Sequence, residues 1–317
     1  MVRGTDSRKA QPLTTGTGGY FIADFPMADL PFRSTKISAP HSQRHAFLAT
    51  LGLSPLPKSL RTECMPNQHE YGTLIVTGAS RGIGAAIAKL AGERGFSVAV
   101  SFRTGAAEAA RVAEQIVSAG GRACAIRADV AREEDVVRLF EAAERELGPV
   151  KALVNNAAIT GGFSRVESVS AKTLAQVMAV NVTGAVLCAR EAVRRMSALH
   201  GGTGGAIVNI SSRAARTGSA GEWVHYAASK GAIDSFTIGL AREVATEGIR
   251  VNAVAPGLIE TGLHAANGAP DRLDRLAATI PMQRPGTAPE VAEGVLWLLS
   301  PAASYTTGAI LEIGGGR

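Results

Sequence analysis

Thr73-Leu-Ile-Val-Thr-Gly-Ala-Ser-Arg-Gly-Ile-Gly84 is the stretch from which the rest of the chain can be read. Its apolar opening, Thr73 to Thr77, reads as a buried strand, and it runs straight into a turn with glycines at 78, 82 and 84. An Ala-rich segment from about Ile83 to Arg94 follows at helical spacing. Strand, Gly-rich turn and helix in that order suit a dinucleotide. The glycines permit a tight turn and a close approach of backbone to pyrophosphate, and the helix N-terminus offers free N–H groups and a favourable dipole. The spacing is G-x-x-x-G-x-G, not the generic G-x-G-x-x-G. One glycine here would be an ordinary βα turn; three ask for a phosphate.

The alternation continues outward from this unit. Strands are expected at Phe96–Phe102, Arg122–Ala128, Lys151–Val154, Gly205–Ser211, Arg250–Ala255 and Ala309–Ile313. Helices are expected after Phe102 through Ala119, at Glu133–Leu147 (stopped by Gly148-Pro149), at Ala171–Leu199, from near Tyr226 to about Glu247, and at Pro289–Leu299. Residues 257–289, rich in Gly and Pro, read as a loop. Strands alternating with helices predict an α/β protein: a single Rossmann-type doubly wound parallel sheet of about seven strands, with helices on both faces. Residues 1–70 lack this pattern. They mix Thr/Gly, scattered prolines and short apolar pieces, and read as a poorly ordered N-terminal extension, with the dinucleotide-binding α/β domain spanning 71–317.

Two further features bear on chemistry. The second strand ends Val100-Ser-Phe-Arg103, with no carboxylate to bind the adenosine ribose hydroxyls, while Arg81 sits in the Gly-rich turn. Two guanidinium groups at one corner favour a 2′-phosphate, hence NADP(H) over NAD. The run Tyr226-Ala-Ala-Ser-Lys230 opens a helical segment and stacks a phenol and an ammonium on one face at i and i+4. A cation there favours the phenolate and is expected to lower its pKa, making the tyrosine a usable proton donor or acceptor.

Composition narrows the class. The chain has 317 residues and a formal charge of +6 from 33 basic and 27 acidic side chains. Residues 1–70 hold eight of the basic and five of the acidic residues, leaving 25 against 22 in the remainder. No Lys/Arg block is dense enough for a nucleic-acid surface. Cys64, Cys124 and Cys188 are widely spaced, without a CxxC, which supports neither a disulfide framework nor a zinc site, and no metal is expected. No uncharged apolar run reaches the roughly 18 residues of a membrane span. Nor do the first residues show the charged-then-apolar-then-small order of a secretory signal, so a reducing, cytoplasmic setting is expected.

With these pieces assembled, the chain resembles the short-chain dehydrogenase/reductase family over residues 72–317. The motifs that carry the resemblance occur in family order: Thr77-Gly-Ala-Ser-Arg-Gly-Ile-Gly84, Asp129-Val130, Asn155-Asn-Ala-Ala158, Asn181, Ile210-Ser-Ser212, Tyr226-Ala-Ala-Ser-Lys230 and Pro256-Gly257. Ala158 departs from the usual Asn-Asn-Ala-Gly. The likeness is strongest to glucose-dehydrogenase-like members, with 3-oxoacyl-carrier-protein reductases close by. The resemblance implies Tyr226 as general acid or base and Lys230 as the residue that lowers its pKa and holds the nicotinamide ribose. It implies Ser212, the later serine of its pair, as hydrogen-bond donor to the substrate oxygen, and Asn181 as holder of a water linking Lys230 to solvent. Cofactor contacts are implied at Gly78, Ser80, Arg81, Gly82, Ile83, Gly84 and Arg103. Asp129 and Val130 would bracket the adenine, and Asn155 to Ala157, with Asn155 and Ala157 as the contacts, would lie against the adenosine ribose and support the central sheet. Pro256, Gly257, Ile259 and Thr261 would line the nicotinamide and phosphate side. His225 reads as a helix-start residue and His264 as a substrate-loop contact.

The activity so implied is NADP(H)-dependent interconversion of a small-molecule carbonyl and an alcohol by a homotetramer. Reduction of carrier-bound 3-oxoacyl chains is the alternative, and a basic patch at the site mouth would mark it. A nucleotide-binding sensor or scaffold without turnover is the alternative of another class. Substrate choice is expected to lie in 157–164, 213–224 and 258–285.

Overall fold

The computed structural model describes residues 71–317; the extension read at residues 1–70 lies outside the described residues. The backbone alternates β1 (Thr73–Val76), α1 (Gly82–Glu93), β2 (Ser97–Phe102), α2 (Ala106–Ser118), β3 (Arg122–Arg127), α3 (Glu133–Leu147) and β4 (Val150–Asn155). Next come α4 (Ala171–Met178), a π-helical turn (Ala179–Thr183), α5 (Gly184–Met196) and β5 (Gly205–Ile210). After these lie α6 (Ala214–Thr217), α7 (Val224–Val244) and β6 (Ile249–Pro256). The chain finishes with β7 (Ile259–Glu260), α8 (Leu263–Ala266), α9 (Arg272–Ala277), β8 (Gly286–Thr287), α10 (Ala288–Leu299) and β9 (Ile310–Ile313).

Among the described residues, seven strands form one sheet in the order β3-β2-β1-β4-β5-β6-β9, and every pairing is parallel. The order reverses between β1 and β4, so the C-terminal ends of these strands splay around a crevice, where doubly wound sheets take ligands. Central strands are buried on both faces: β1 and β2 have no exposed position, as their continuous apolar runs require. The edge strands β3 and β9 are half-exposed. One apolar layer packs α1, α2 and α10 on one face of the sheet, and the other packs α3, α5 and α7 on the opposite face. Removing a fully buried member such as Leu153 or Phe140 would cost roughly 2–5 kcal/mol, through lost transfer energy and the cavity left behind.

Two expectations need correction. The segment 257–289 is not a bare loop: it carries two short helices and the small β7-β8 sheet. Its Gly and Pro residues punctuate elements too short to show a period. The long helix after β4 is also interrupted, since 179–183 widen into a π turn at Asn181. Residues 171–196 together are long and apolar enough, by length and composition, to cross a membrane. That length spans the π turn and tolerates charges at one end, which a search for one uninterrupted apolar run overlooks. The inner side of this helix, including Cys188, Ala189, Ala192 and Met196, is buried against the sheet.

Candidate active site

The Gly-rich turn is built by its neighbours as much as by its own sequence. Ala79 N donates to Ser101 O at 2.8 Å and Thr77 N to Val154 O at 3.0 Å, tying the turn to the ends of β2 and β4. Asn156 Nδ2 donates to Thr77 O (2.9 Å) and Gly78 O (3.0 Å). Thr77 Oγ1 in turn accepts from Asn156 N and Ala157 N, each at 3.0 Å. Gly78 has φ +65°, and a Cβ there would meet Ala157 Cα at 3.0 Å. At Gly84 a Cβ would lie 2.5 Å from Asn156 Nδ2 and 2.6 Å from Gly78 O, so only glycine lets α1 begin against this turn. Arg81 occupies the N-cap position of α1 and supplies no side-chain cap, so the first N–H groups of the helix face the crevice uncapped.

The crevice is a cavity of about 1000 Å³. Gly78, Ser80, Arg81, Gly82, Ile83, Gly84, Arg103, Asp129, Val130 and Ala157 line one end. Ser212, Tyr226, Lys230, Pro256, Gly257, Ile259 and Thr261 line the remainder, together with 213–223 and 257–276. The absence of an acid at the end of β2 is only half the picture. Asp129, arriving from the end of β3, places Oδ2 3.8 Å from Arg103 Nη1. Its register to Arg103 is a pairing across the sheet, invisible along the chain.

Asn155 does not join the cavity, contrary to expectation. It is the last residue of β4 and 6 % exposed, and its Nδ2 donates to Ala185 O and Asn209 Oδ1, both at 3.0 Å. Side chains alternate along a strand, so Asn155 points under the sheet and its neighbour Asn156 reaches the Gly-rich turn. Asn181 also stays out of the cavity. Its amide exchanges two hydrogen bonds with the Ile159 backbone (2.8 and 2.9 Å) and donates to Ser229 Oγ at 3.0 Å, which donates to Tyr226 O at 2.7 Å. The side chain braces the backbone that carries Tyr226 rather than touching Lys230.

Tyr226, in the first turn of α7, is half-buried, and the Ser212 hydroxyl lies beside its own. Ser211, the earlier serine, is 2 % exposed and donates instead to Asp234 Oδ1 at 2.5 Å. Lys230 is 3 % exposed; its Nζ donates to Ile210 O at 2.7 Å and lies 5.6 Å from the centre of the Tyr226 ring. The expected lowering of the phenol by Lys230 is not met in this structure. Burial pushes the Tyr226 hydroxyl up to about 12, with only the Ser212 hydrogen bond acting the other way. Burial also takes the Lys230 ammonium down to about 8, against the pull of Asp234. Removing both groups from water disfavours both charged forms, and the ammonium reaches the ring face and a carbonyl rather than the phenolic oxygen.

Several residues at the other end carried no motif. His225 is buried at the start of α7, with Nε2 2.8 Å from Thr160 O. Thr160 donates to Asn267 Oδ1 at 2.6 Å, and Asn267 Nδ2 donates to Leu263 O at 2.7 Å. Arg213 donates to Arg317 O at 2.7 Å and pairs with Glu312. The side chain of His264 lies outside the described residues. No group of three or more His, Cys, Asp or Glu among the described residues is placed to hold a metal ion.

Comparison with known proteins agrees with this architecture. A family model described as enoyl-(acyl carrier protein) reductase matches residues 78–317. The chain is 51 % identical over 243 residues to the uncharacterized oxidoreductase YgfF of Escherichia coli (strain K12), covering 77 % of this chain and 98 % of the relative. It is 40 % identical over 242 residues to cis-4-hydroxycyclohexanecarboxylate dehydrogenase of Sinomonas cyclohexanicum, covering 76 % and 94 %. It is 36 % identical over 244 residues to glucose 1-dehydrogenase 2 of Bacillus subtilis (strain 168), covering 77 % and 93 %. The chain belongs to the short-chain dehydrogenase/reductase family. It is therefore an oxidoreductase of alcohol and carbonyl groups that works with a nicotinamide cofactor.

Proposed function

We propose that the protein interconverts a small uncharged carbonyl and its alcohol, with NADP(H) as hydride partner and Tyr226 as general acid or base. The observation that carries this reading is the adjacent Ser212–Tyr226 pair, with buried Lys230 against the Tyr226 ring, opening into the same cavity as the uncapped N-terminus of α1. The residues present fit the cofactor. The turn whose Gly84 leaves no space for a Cβ would take the pyrophosphate, and Arg81 and Arg103 would take a 2′-phosphate. When bound, the nicotinamide supplies or accepts the hydride.

The protein's own residues handle the proton and the charge. Tyr226 donates a proton to the substrate oxygen in reduction and removes it in oxidation. Ser212 donates a hydrogen bond to the same oxygen as negative charge gathers there. A phenol near 12 is a poor proton donor for a neutral site, so Lys230, kept close to neutral pH by burial, would stabilise the phenolate as it forms. Asn181 holds the Tyr226 backbone through Ser229 and so acts by positioning. The carrier-bound alternative asked for a basic patch at the mouth. The substrate-side arginines Arg213 and Arg272 are instead each paired with an acid, so that reading gains no support.

A homotetramer in a cytoplasmic setting belongs to the same proposal. Trp297 remains 42 % exposed and β9 is an edge strand, and Leu174 and Met178 are likewise left uncovered in a single chain. A monomeric mass by light scattering would refute that part. The test of the activity is a fluorescence titration with NADPH and NADH, followed by a carbonyl panel on wild type and Tyr226→Phe. NADPH is expected to bind more tightly, and the variant to lose roughly 10²–10⁴-fold in turnover while binding survives. Binding without turnover on any carbonyl would favour a sensor, and no binding of either nucleotide would defeat the proposal.

A further inference from the structure

One cluster at the substrate end plays no part in the chemistry above. Arg272 lies at the start of α9, inside the 257–289 segment, and is 5 % exposed. Its guanidinium meets the Glu222 carboxylate through two N–H groups, Nε at 3.3 Å and Nη2 at 2.5 Å. Its Cζ also lies 4.8 Å from the centre of the Trp223 ring. The Phe163 ring stacks on the same indole at 4.5 Å and 27°. The phenyl ring and the guanidinium thus both pack against the one indole. Trp223 meets the Tyr226 ring at 6.1 Å and 73°, an edge-on contact. Ser164 N donates to Glu222 O at 2.9 Å, drawing the Phe163 segment into the same cluster.

Three stretches far apart in sequence thus converge on one tryptophan beside the tyrosine. A guanidinium is costly to bury unless its charge is matched and its N–H groups are satisfied. The rigid fork of arginine satisfies both at a carboxylate and can stack on an aromatic face at the same time, which lysine cannot do. The pair also cancels two charges at this end of the cavity, since Glu222 and Arg272 both line it.

We propose that Arg272 is a positioning residue whose pairing with Glu222 latches the 257–289 segment onto Trp223. The latch fixes the Trp223 edge against Tyr226 and leaves no unmatched guanidinium at Arg272, so that the site admits uncharged substrates in preference to carboxylates. The proposal rests on Tyr226 acting on the substrate as argued above, and its test includes a readout independent of turnover.

The chain has two tryptophans, so a Trp297→Phe background reports on Trp223 alone. In that background Arg272→Ala is expected to raise acrylamide quenching of Trp223. With the carbonyl found by the panel, KM should rise at least about tenfold, while kcat stays within about threefold and NADPH affinity is unchanged. Arg272→Lys should recover part of the KM, by restoring the charge pair, and little of the shielding. Glu222→Gln keeps a hydrogen bond and leaves Arg272 charged. It should bind cyclohexanecarboxylate at least about tenfold more tightly than the parent, read by Trp223 emission, with cyclohexanol unchanged.

Unchanged quenching in Arg272→Ala, or a raised KM accompanied by comparable losses of kcat and NADPH affinity and a lowered melting temperature, would overturn the latch. No gain of carboxylate affinity in Glu222→Gln would overturn its electrostatic part. If wild type turns over no carbonyl while Arg272→Ala still unshields Trp223, the loss falls on the functional reading and the latch stands.

Discussion

The two ends of the crevice are built in different ways. At the nucleotide end the geometry comes mostly from backbone: a turn tied by main-chain hydrogen bonds and braced by Thr77 and Asn156, a Gly84 with no space for a Cβ, a Gly78 at positive φ, and a helix whose first N–H groups carry no side-chain cap. At the substrate end it comes from side chains that meet across great sequence distances. Glu222 and Arg272 are 50 residues apart, Thr160 and Asn267 are 107 apart, and Arg213 and Arg317 are 104 apart. The first kind of site tolerates almost no change at a few positions. The second can be retuned one side chain at a time, which suits a scaffold that keeps its cofactor and varies its substrate.

The sharpest way to break this contrast is at the nucleotide end. Gly84→Ala would drive a methyl group into Asn156 and the Gly78 carbonyl. Nucleotide affinity is expected to decline by about 100-fold or more in a fluorescence titration, since displacing a phosphate cradle forfeits several charge-assisted hydrogen bonds. Affinity within a fewfold of wild type would mean that the turn yields, and that the two ends are not so different.

A second test falls on the group between the ends. Lys230 is held near 8 in the folded chain, against an ordinary 10.5. Between those values the unfolded chain holds more protons than the folded one, so this lysine makes stability rise as pH rises through the window. The rise is at most about 3 kcal/mol. Melting temperatures from pH 7 to 10 should show an upward component that Lys230→Met removes. Tyr226, shifted upward, contributes the opposite slope only above pH 10. The same profile in wild type and variant would show that the lysine is not desolvated as described.

The smallest effect belongs to the substrate end. Thr160→Val removes one buried hydroxyl that joins Asn267 and accepts from Gly162 N. It is expected to cost about 1 kcal/mol in stability. KM should rise a fewfold while nucleotide affinity stays put, and an equal loss of both would show that the ends are coupled.

How much of this was legible beforehand follows the same division. Periodicity and punctuation show the succession of strands and helices along the chain, because burial of a parallel sheet on both faces writes continuous apolar runs into it. The positions of the Gly-rich turn, Tyr226 and Lys230 are readable because each sits at an element end or on one helix face, where spacing implies direction; the choice of Ser212 over Ser211 comes from the family resemblance. For Asn155–Ala157 two roles, ribose contact and support of the sheet, fit one short run; the pleat turns Asn155 under the sheet to Asn209 and sends Asn156 to the turn. Asp129 beside Arg103, and the raised rather than lowered Tyr226 hydroxyl, needed the neighbouring strand and the depth of burial.

By itself, then, the sequence determined the local geometry: strands, helices, the turn that accepts a phosphate, and a phenol and ammonium on one face. These depend on dihedral preferences and on hydrophobic period, which act between residues close along the chain. Tertiary structure alone decided which side chains share a cavity, which charges cancel, and how far each ionisable group is removed from water. Those depend on distances between elements and on solvent exclusion, and nothing in the spacing of Glu222, Trp223 and Arg272 announces that they would meet.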